Sequence, residues 1–563
     1  MKKWVILSLF AIFFLAVFMR LFPLTQYAVW GSDSGEYYHI TTQLISDGYV
    51  STDYEGWGFG YPYFPGMYYL SGAVHFLSGM DILWSMILII PVVAAFSVLI
   101  VFFIAKILFK SEGAGLLASA FMAVAMPHVF ATSHPMPGSL GDVLLLFTIM
   151  LLLFSYKSYK FIPLLILSAL ALTITHHLSS YFLFIAVFGG LFAIELLKRE
   201  EGEGAKDTRV YWIFLVFFLT VLIVYWTMFA RPFAERVVSS AFDLPFWVVF
   251  VFGYVALFLA FILIKLRRRV NWSYKPKFLE PRTQLIRYIV LLSSLFFVLG
   301  FIALISLPGT NIELNPGVIL LFSPLAVLIA FTAVGSGYLW FYRGGMAVYG
   351  WMIAFVLSLV MALVTSNRVL LIYRHPQYLM PPLALVIGIG MVMMFITFND
   401  KKRFKKVLVV GLVGVLLGLT SLSAYPSKEI MGGFSEGTSQ EDMQAVFWAR
   451  ESLNKGATIA TDHRMSSMLF GFAGLNPTWD EADKTLHASS YEEGRDEIES
   501  GKTPSGERSI DHVLLDDDIK EGVALVQWEN AEPMSIEAQK KFEIWPFVKL
   551  YEANGVEVYG LAM

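Results

Sequence analysis

The chain has 563 residues, 57% hydrophobic and only 15% charged, with a mean hydropathy of +0.65. Soluble domains carry roughly a quarter charged residues, so this composition excludes a soluble enzyme and a disordered chain and indicates a polytopic membrane protein. The absence of cysteine excludes disulfides, thiolate zinc sites and a cysteine nucleophile, and the net charge of −3 hides a split. From Ser427 onward 12 Lys and Arg face 26 Asp and Glu, a balance of −14, while the preceding stretch carries +11. Its positive charges lie in short scattered clusters rather than along one face, so no nucleic-acid partner is expected.

The first apolar run, 4–22, follows Lys2 and Lys3 like a signal peptide. It ends in Phe18-Met19-Arg20-Leu21-Phe22-Pro23 without a small-residue cleavage site and reads as a retained anchor. A long loop, 23–83, comes next; it is rich in aromatics and glycine (Trp57-Gly58-Phe59-Gly60-Tyr61-Pro62) and ends in a predicted interfacial helix, 67–79. Loops of this length in compact domains are functional or disordered, and the aromatic content argues against disorder. Further runs near the roughly 20 residues that cross a bilayer fall at 84–108, 114–132, 139–155, 161–176, 178–197, 211–229, 246–266, 285–307, 317–334, 345–364, 378–398 and 406–424, making thirteen. The fold class expected is thus an α-helical membrane domain over 1–425 followed by an acidic α/β domain over 426–563. In the latter, Thr438 or Ser439 is placed to cap a helix ending at Leu453, strands are expected at 458–461, 511–515 and 556–559, and 480–508 reads as a polar loop. No internal repeat or low-complexity tract is found.

Alternate loops hold 24 of the 29 Lys and Arg that precede the acidic domain; the opposite side holds Arg20, Arg231, Arg236, Arg368 and Arg374. The positive-inside rule places the amino terminus in the cytoplasm. An odd number of spans then puts the acidic domain outside the cell membrane.

The outward loops carry the candidate chemistry. Asp33, Glu36 and His39 stand at steps of three, one face of a helix, where acids and imidazole can bind a divalent cation or act as a base; solvated acids beside headgroup-level tyrosines are the plain alternative. The second turn contains His128, His134 and Asp142. Asp142 opens an apolar helix, where it either complements the helix dipole or projects into an external cavity. His176 and His177 form the third turn; on a helix adjacent rings diverge by about 100°, so an interfacial polar turn is favoured over a shared ion. Glu313 is the sole acid of its loop. Arg368 and Arg374, and Arg20 at the outer end of the first span, can grip a phosphate bidentately or contact an anionic lipid headgroup. No phosphate-binding glycine loop for a nucleotide is present.

This layout resembles the GT-C superfamily of membrane glycosyltransferases, and within it the catalytic subunit of archaeal and bacterial oligosaccharyltransferases. Asp33 with Glu36-Tyr37-Tyr38-His39 is similar to the family's first acidic motif, Asp142 to part of its second, and Thr310-Asn311-Ile312-Glu313 to its later motif ending in glutamate. The resemblance implies a Mg²⁺ or Mn²⁺ ion among Asp33, Asp142 and Glu313, with Arg368 or Arg374 near a donor phosphate. One departure stands out. Where oligosaccharyltransferases carry Trp-Trp-Asp-Tyr-Gly for acceptor-sequon recognition, this chain has Ala460-Thr461-Asp462-His463-Arg464, which leaves the acceptor open among protein, lipid and glycan.

The activity expected is inverting transfer of a sugar or oligosaccharide from a polyprenyl- or dolichyl-phosphate donor, with Asp33 as the first choice of base. Transport or flipping of lipid-linked sugars is the alternative; it predicts broken midplane helices and duplicated halves, whereas the polar residues cluster at the outer ends of spans. A receptor with a membrane anchor is a third reading, for which thirteen spans are excessive.

Overall fold

The computed structural model describes residues 2–196, 208–242, 245–269, 316–339, 343–365, 371–397, 403–428, 434–503, 506–522 and 532–562. They form two compact units: Met1–Arg20, Val93–Thr132 and Leu140–Tyr425 in the first, and Leu21–Val92, Ser133–Ser139 and Pro426–Met563 in the second.

The first unit is helical. Every predicted span except 285–307, which lies outside the described residues, falls on a helix. By length and composition, eight of the described helices can cross a bilayer, or nine if Glu112–Val124 and Met126–Thr132, bent by 60°, count as one broken span. The bend sits where Ala125 is extended (φ −64°, ψ 115°), two residues before Pro127, whose ring cannot continue the preceding turn. Ile162–Thr175 has 14 residues, about 21 Å at 1.5 Å per residue, which is short of the roughly 30 Å hydrocarbon core. Leu7 and Phe14 on the first helix, Phe252 and Phe258 on Phe246–Arg269, and Leu357 and Val364 on Arg343–Thr365 face outward. Such rows of exposed apolar side chains are stable against lipid tails and not against water. The chain is a multi-pass membrane protein. Where His177–Leu196 crosses Arg343–Thr365, a side chain at Gly189 would come within 2.4 Å of the Gly350 carbonyl oxygen, so the two backbones touch directly.

Among the described residues the second unit has nine short strands: β1 (Val29–Trp30), β2 (Gly437–Thr438), β3 (Thr458–Ala460), β4 (Asn476–Pro477), β5 (Gly501–Thr503), β6 (Gly506–Arg508), β7 (His512–Leu515), β8 (Phe547–Ala553) and β9 (Val556–Leu561). Five form a sheet in the order β4-β3-β7-β9-β8. β3 is parallel to β4 and β7; β9 is antiparallel to β7 and β8. β1 and β2 pair antiparallel, Val29 opposite Thr438 and Trp30 opposite Gly437, which stitches the first long loop to the C-terminal segment. Met443, Val446, Ile459, Met465, Leu514 and Val558 share one core with Val29 and Ile87.

The expected cap is Ser439, in a capping box with Asp442 at the start of Gln440–Ser452. The region 480–508, expected as a loop, instead holds helices Asp483–His487 and Tyr491–Glu499 and the β5–β6 hairpin. Tyr491–Glu499 buries only Gly494 and Ile498 and is started by the Ser490 hydroxyl accepting from the Glu493 amide, so no apolar periodicity announces it.

Candidate functional site

Polar side chains gather in both units. In the second unit, helix Ser34–Asp47 follows Asp33 directly. It crosses the segment after helix His463–Met468 at two glycines: a side chain at Gly35 would meet the Ser467 carbonyl oxygen at 1.9 Å, and one at Gly471 the Gly35 carbonyl oxygen at 2.0 Å. That contact brings the start of the first helix to the turn beyond β3. Asp33 Oδ2 accepts from the hydroxyls of Tyr61 at 2.9 Å and Tyr37 at 3.4 Å. Asp33 Oδ1 lies 3.4 Å from His463 Nε2, and His463 Nδ1 lies 2.8 Å from Asp480 Oδ1. Burial alone would lower the pKa of His463, but its bonds to Asp33 and Asp480 outweigh it and push the value up to about 10, so both ring nitrogens donate. Trp57 Nε1 donates to Asp480 Oδ2 at 2.7 Å.

Glu36 is fully buried. Its Oε2 accepts from the Tyr54 hydroxyl and from the Gly58 amide at 2.9 Å; Oε1 has no hydrogen-bond partner among the described residues. Burial, reinforced by the neighbouring Asp33 charge, raises its pKa to about 8. The folded chain then keeps a proton that the unfolded chain loses from pH 4.5 upward, so the stability contributed by this group falls as pH rises from about 4.5 through about 8. Glu36→Gln retains the acceptor oxygen and removes the titration. It is expected to melt several degrees above wild type at pH 8.5 in detergent and to lose less stability between pH 5 and 8.5, a difference on the order of a few kcal/mol. Parallel pH profiles for the two proteins would contradict this.

His39 stacks loosely on Phe470, ring centres 4.6 Å apart, with its pKa lowered by burial. His134 stacks on Trp30 at 5.5 Å, its Nε2 lying 3.6 Å from Glu436 Oε2.

In the first unit, Arg20 is 1% exposed. Its Nε donates to Thr132 Oγ1 at 2.9 Å, one terminal nitrogen to the Ala16 carbonyl at 3.1 Å, and the other contacts His128 Nδ1 at 2.9 Å. A guanidinium can only donate, so His128 Nδ1 accepts; its Nε2 lies 2.5 Å from Asp142 Oδ2 without hydrogen-bond geometry. His176 Nδ1 bonds Ser179 Oγ at 2.8 Å, which bonds the Tyr378 hydroxyl at 2.7 Å. Asp142 acts electrostatically on Tyr378, and Arg374 on both His176 and Tyr378. His177 packs on Phe233 at 4.7 Å. Arg20, Asp142, His176, His177 and Arg374 thus belong to one unit, and Asp33, Glu36, His39 and His134 to the other; Arg368 and Glu313 lie outside the described residues.

Of the expected metal set, Asp33 and Asp142 belong to different units and Glu313 lies outside the described residues. Among the described residues no three His, Asp or Glu side chains group as a cation site. Asp33 is bonded to two tyrosines and to His463, and Asp142 Oδ2 lies 2.5 Å from His128 Nε2. Both oxygens of the buried Asp142 carboxylate lack a hydrogen-bond partner among the described residues, and no step of the proposed reaction is routed through a cation.

Sequence reading missed His463, Asp480, Trp57, Tyr54 and Tyr61. One signal was available: His463 follows the C-terminal end of β3, which lies between two parallel neighbours, and ligands of α/β sheets gather at such ends.

No protein-family model matches the chain and no curated protein sequence does. Solved structures do match. The Archaeoglobus fulgidus oligosaccharyltransferase AglB in complex with an inhibitory peptide and a dolichol-phosphate superposes with a TM-score of 0.61 at 13% identity, covering 100% of this chain and 74% of that one. The same enzyme tethered to an acceptor peptide containing the NVT sequon gives 0.61 at 14%, covering 100% and 74%. Its complex with Zn and sulfate gives 0.59 at 13%, covering 91% and 68%. At such identities the likeness is one of fold: this multi-pass membrane protein has the fold of the archaeal oligosaccharyltransferase.

Proposed function

We propose that the chain is a membrane glycosyltransferase that moves a sugar or oligosaccharide from a polyprenyl- or dolichyl-phosphate carrier to an acceptor. In this reading thirteen spans put the amino terminus in the cytoplasm and the second unit on the external face. The carrying observation is the Asp33 carboxylate, partly open to solvent at 14% and held on three bonds. An acceptor hydroxyl or amide that attacks the sugar must give up a proton. Asp33 takes that proton as the acceptor attacks the anomeric carbon. The C–O bond to the carrier phosphate breaks, the phosphate keeps the electron pair, and the sugar inverts through an oxocarbenium-like transition state. Arg374 and Arg368 neutralise the leaving phosphate. Arg20, with three of its five N–H groups on Thr132, Ala16 and His128, holds His128 beside Asp142. Glu36 keeps the loop around Tyr54 and Gly58 in place. The fold likeness to an enzyme solved with dolichol-phosphate and with an acceptor peptide supports this reading.

The test incubates purified protein in proteoliposomes with labelled polyprenyl-phosphate sugars and a membrane extract, with and without EDTA. Label moving to a protein, lipid or glycan acceptor is expected; label that stays on the carrier refutes the proposal. Loss of transfer with EDTA, restored by Mg²⁺ or Mn²⁺, would return a metal to the site through Asp33, Asp142 and Glu313.

A further inference from the structure

We propose that His463 is a positioning residue for Asp33, the central link of a chain that runs from Trp57 through Asp480 and His463 to the Asp33 carboxylate. The proposal rests on the reading of Asp33 as the acceptor's proton acceptor.

The geometry of the ring carries it. His463 is 1% exposed and stands edge-on to Trp57, ring centres 4.7 Å apart. Its Nδ1 bond to Asp480 Oδ1, at 2.8 Å, sets the rotation of the imidazole, and the second oxygen of Asp480 is itself fixed by the Trp57 indole at 2.7 Å. With the ring so oriented, Nε2 faces Asp33 Oδ1 at 3.4 Å, while Oδ2 turns to Tyr61 at 2.9 Å. Catalytic bonds are commonly long in a site without substrate and tighten in the loaded complex. The backbone beneath is equally constrained. Asp462 caps helix His463–Met468 by accepting from the Met465 amide at 2.9 Å. Arg464, the next residue, ties the same turn to Asp442 at 2.9 Å and to Asp516. A ring kept only to fill space needs neither nitrogen aimed at a carboxylate; here both are. Residues from the first loop and from the C-terminal segment, 430 positions apart, therefore meet at the atom that takes the proton.

A plain ion-pair staple between these segments would affect folding and leave turnover alone, and that is the distinction to measure. His463→Gln and Asp480→Asn are made in the full chain and reconstituted in proteoliposomes. Transfer from labelled polyprenyl-phosphate sugar to the membrane-extract acceptor is followed beside thermal unfolding. His463→Gln is expected to lower kcat 10- to 100-fold, as for a small misplacement of a reacting group, with the donor KM within about twofold of wild type. Asp480→Asn, which keeps one acceptor oxygen and turns the other into a donor, is expected to lose about 3- to 10-fold, in kcat again. Added to Asp33→Asn, His463→Gln should cause no further loss, because both changes disable one unit. Wild-type kcat in His463→Gln, or a full additional loss on the Asp33→Asn background, overturns the positioning role while leaving the glycosyltransferase reading intact. A wild-type chain that transfers nothing overturns both.

Discussion

Asp33→Asn is expected to lower sugar transfer by about two to four decades without unfolding the chain. The amide keeps the shape of the side chain and can still accept from Tyr61 through its oxygen. It cannot take a proton from the acceptor, and it presents no charge to His463. The expected signature is a fall in kcat with little change in the affinity for the lipid-linked donor, because in the proposed reaction the carboxylate acts on the acceptor and not on the carrier. Initial rates in proteoliposomes, with the melting temperature as control, measure it. Transfer at the wild-type rate would remove Asp33 from the mechanism.

The largest stability effect is expected at Arg464. Its guanidinium is 1% exposed and sits among three acids, 2.9 Å from Asp442, 3.9 Å from Asp462 and bonded to Asp516, with a further bond to the Gly437 carbonyl at 3.2 Å. Burial pushes Asp516 up to about 7 despite the arginine, which shows how poorly this pocket tolerates charge without it. Arg464→Met fills the space and leaves the carboxylates uncompensated. Breaking a buried pair by removing one partner costs about 3–5 kcal/mol, roughly 10 °C or more in the melting of a unit of this size. Asp516→Asn on that background should recover part of the loss. A shift of less than about 2 °C in detergent would mean that the acids find other partners. Two sheets would be affected directly, since Gly437 belongs to β2 of the two-stranded pair and Asp516 follows β7 of the five-stranded sheet.

The helices of the first unit were legible because a bilayer accepts only long apolar runs with internally satisfied backbones, and such runs survive in sequence without any knowledge of neighbours. The Ser439 cap and the strands at β3, β7 and β9 were legible for similar local reasons. Tyr491–Glu499 was not: a helix that buries one isoleucine carries no periodic stripe. The candidate site divides the same way. Asp33 and Glu36 stand out as acids just beyond an apolar span. Nothing local to Arg20 reveals that Thr132 and His128 take two of its N–H groups, more than a hundred residues away. His463 and Asp480 become meaningful only when the Gly35–Gly471 crossing brings the first loop to them.

The most direct measurement is a stoichiometry. A donor labelled separately in its sugar and in its carrier phosphate is given to purified wild-type protein in proteoliposomes with acceptor present. The account predicts one polyprenyl phosphate released for each sugar joined to a new molecule. Sugar that crosses the bilayer still bonded to its carrier phosphate, with no free polyprenyl phosphate formed, would contradict it.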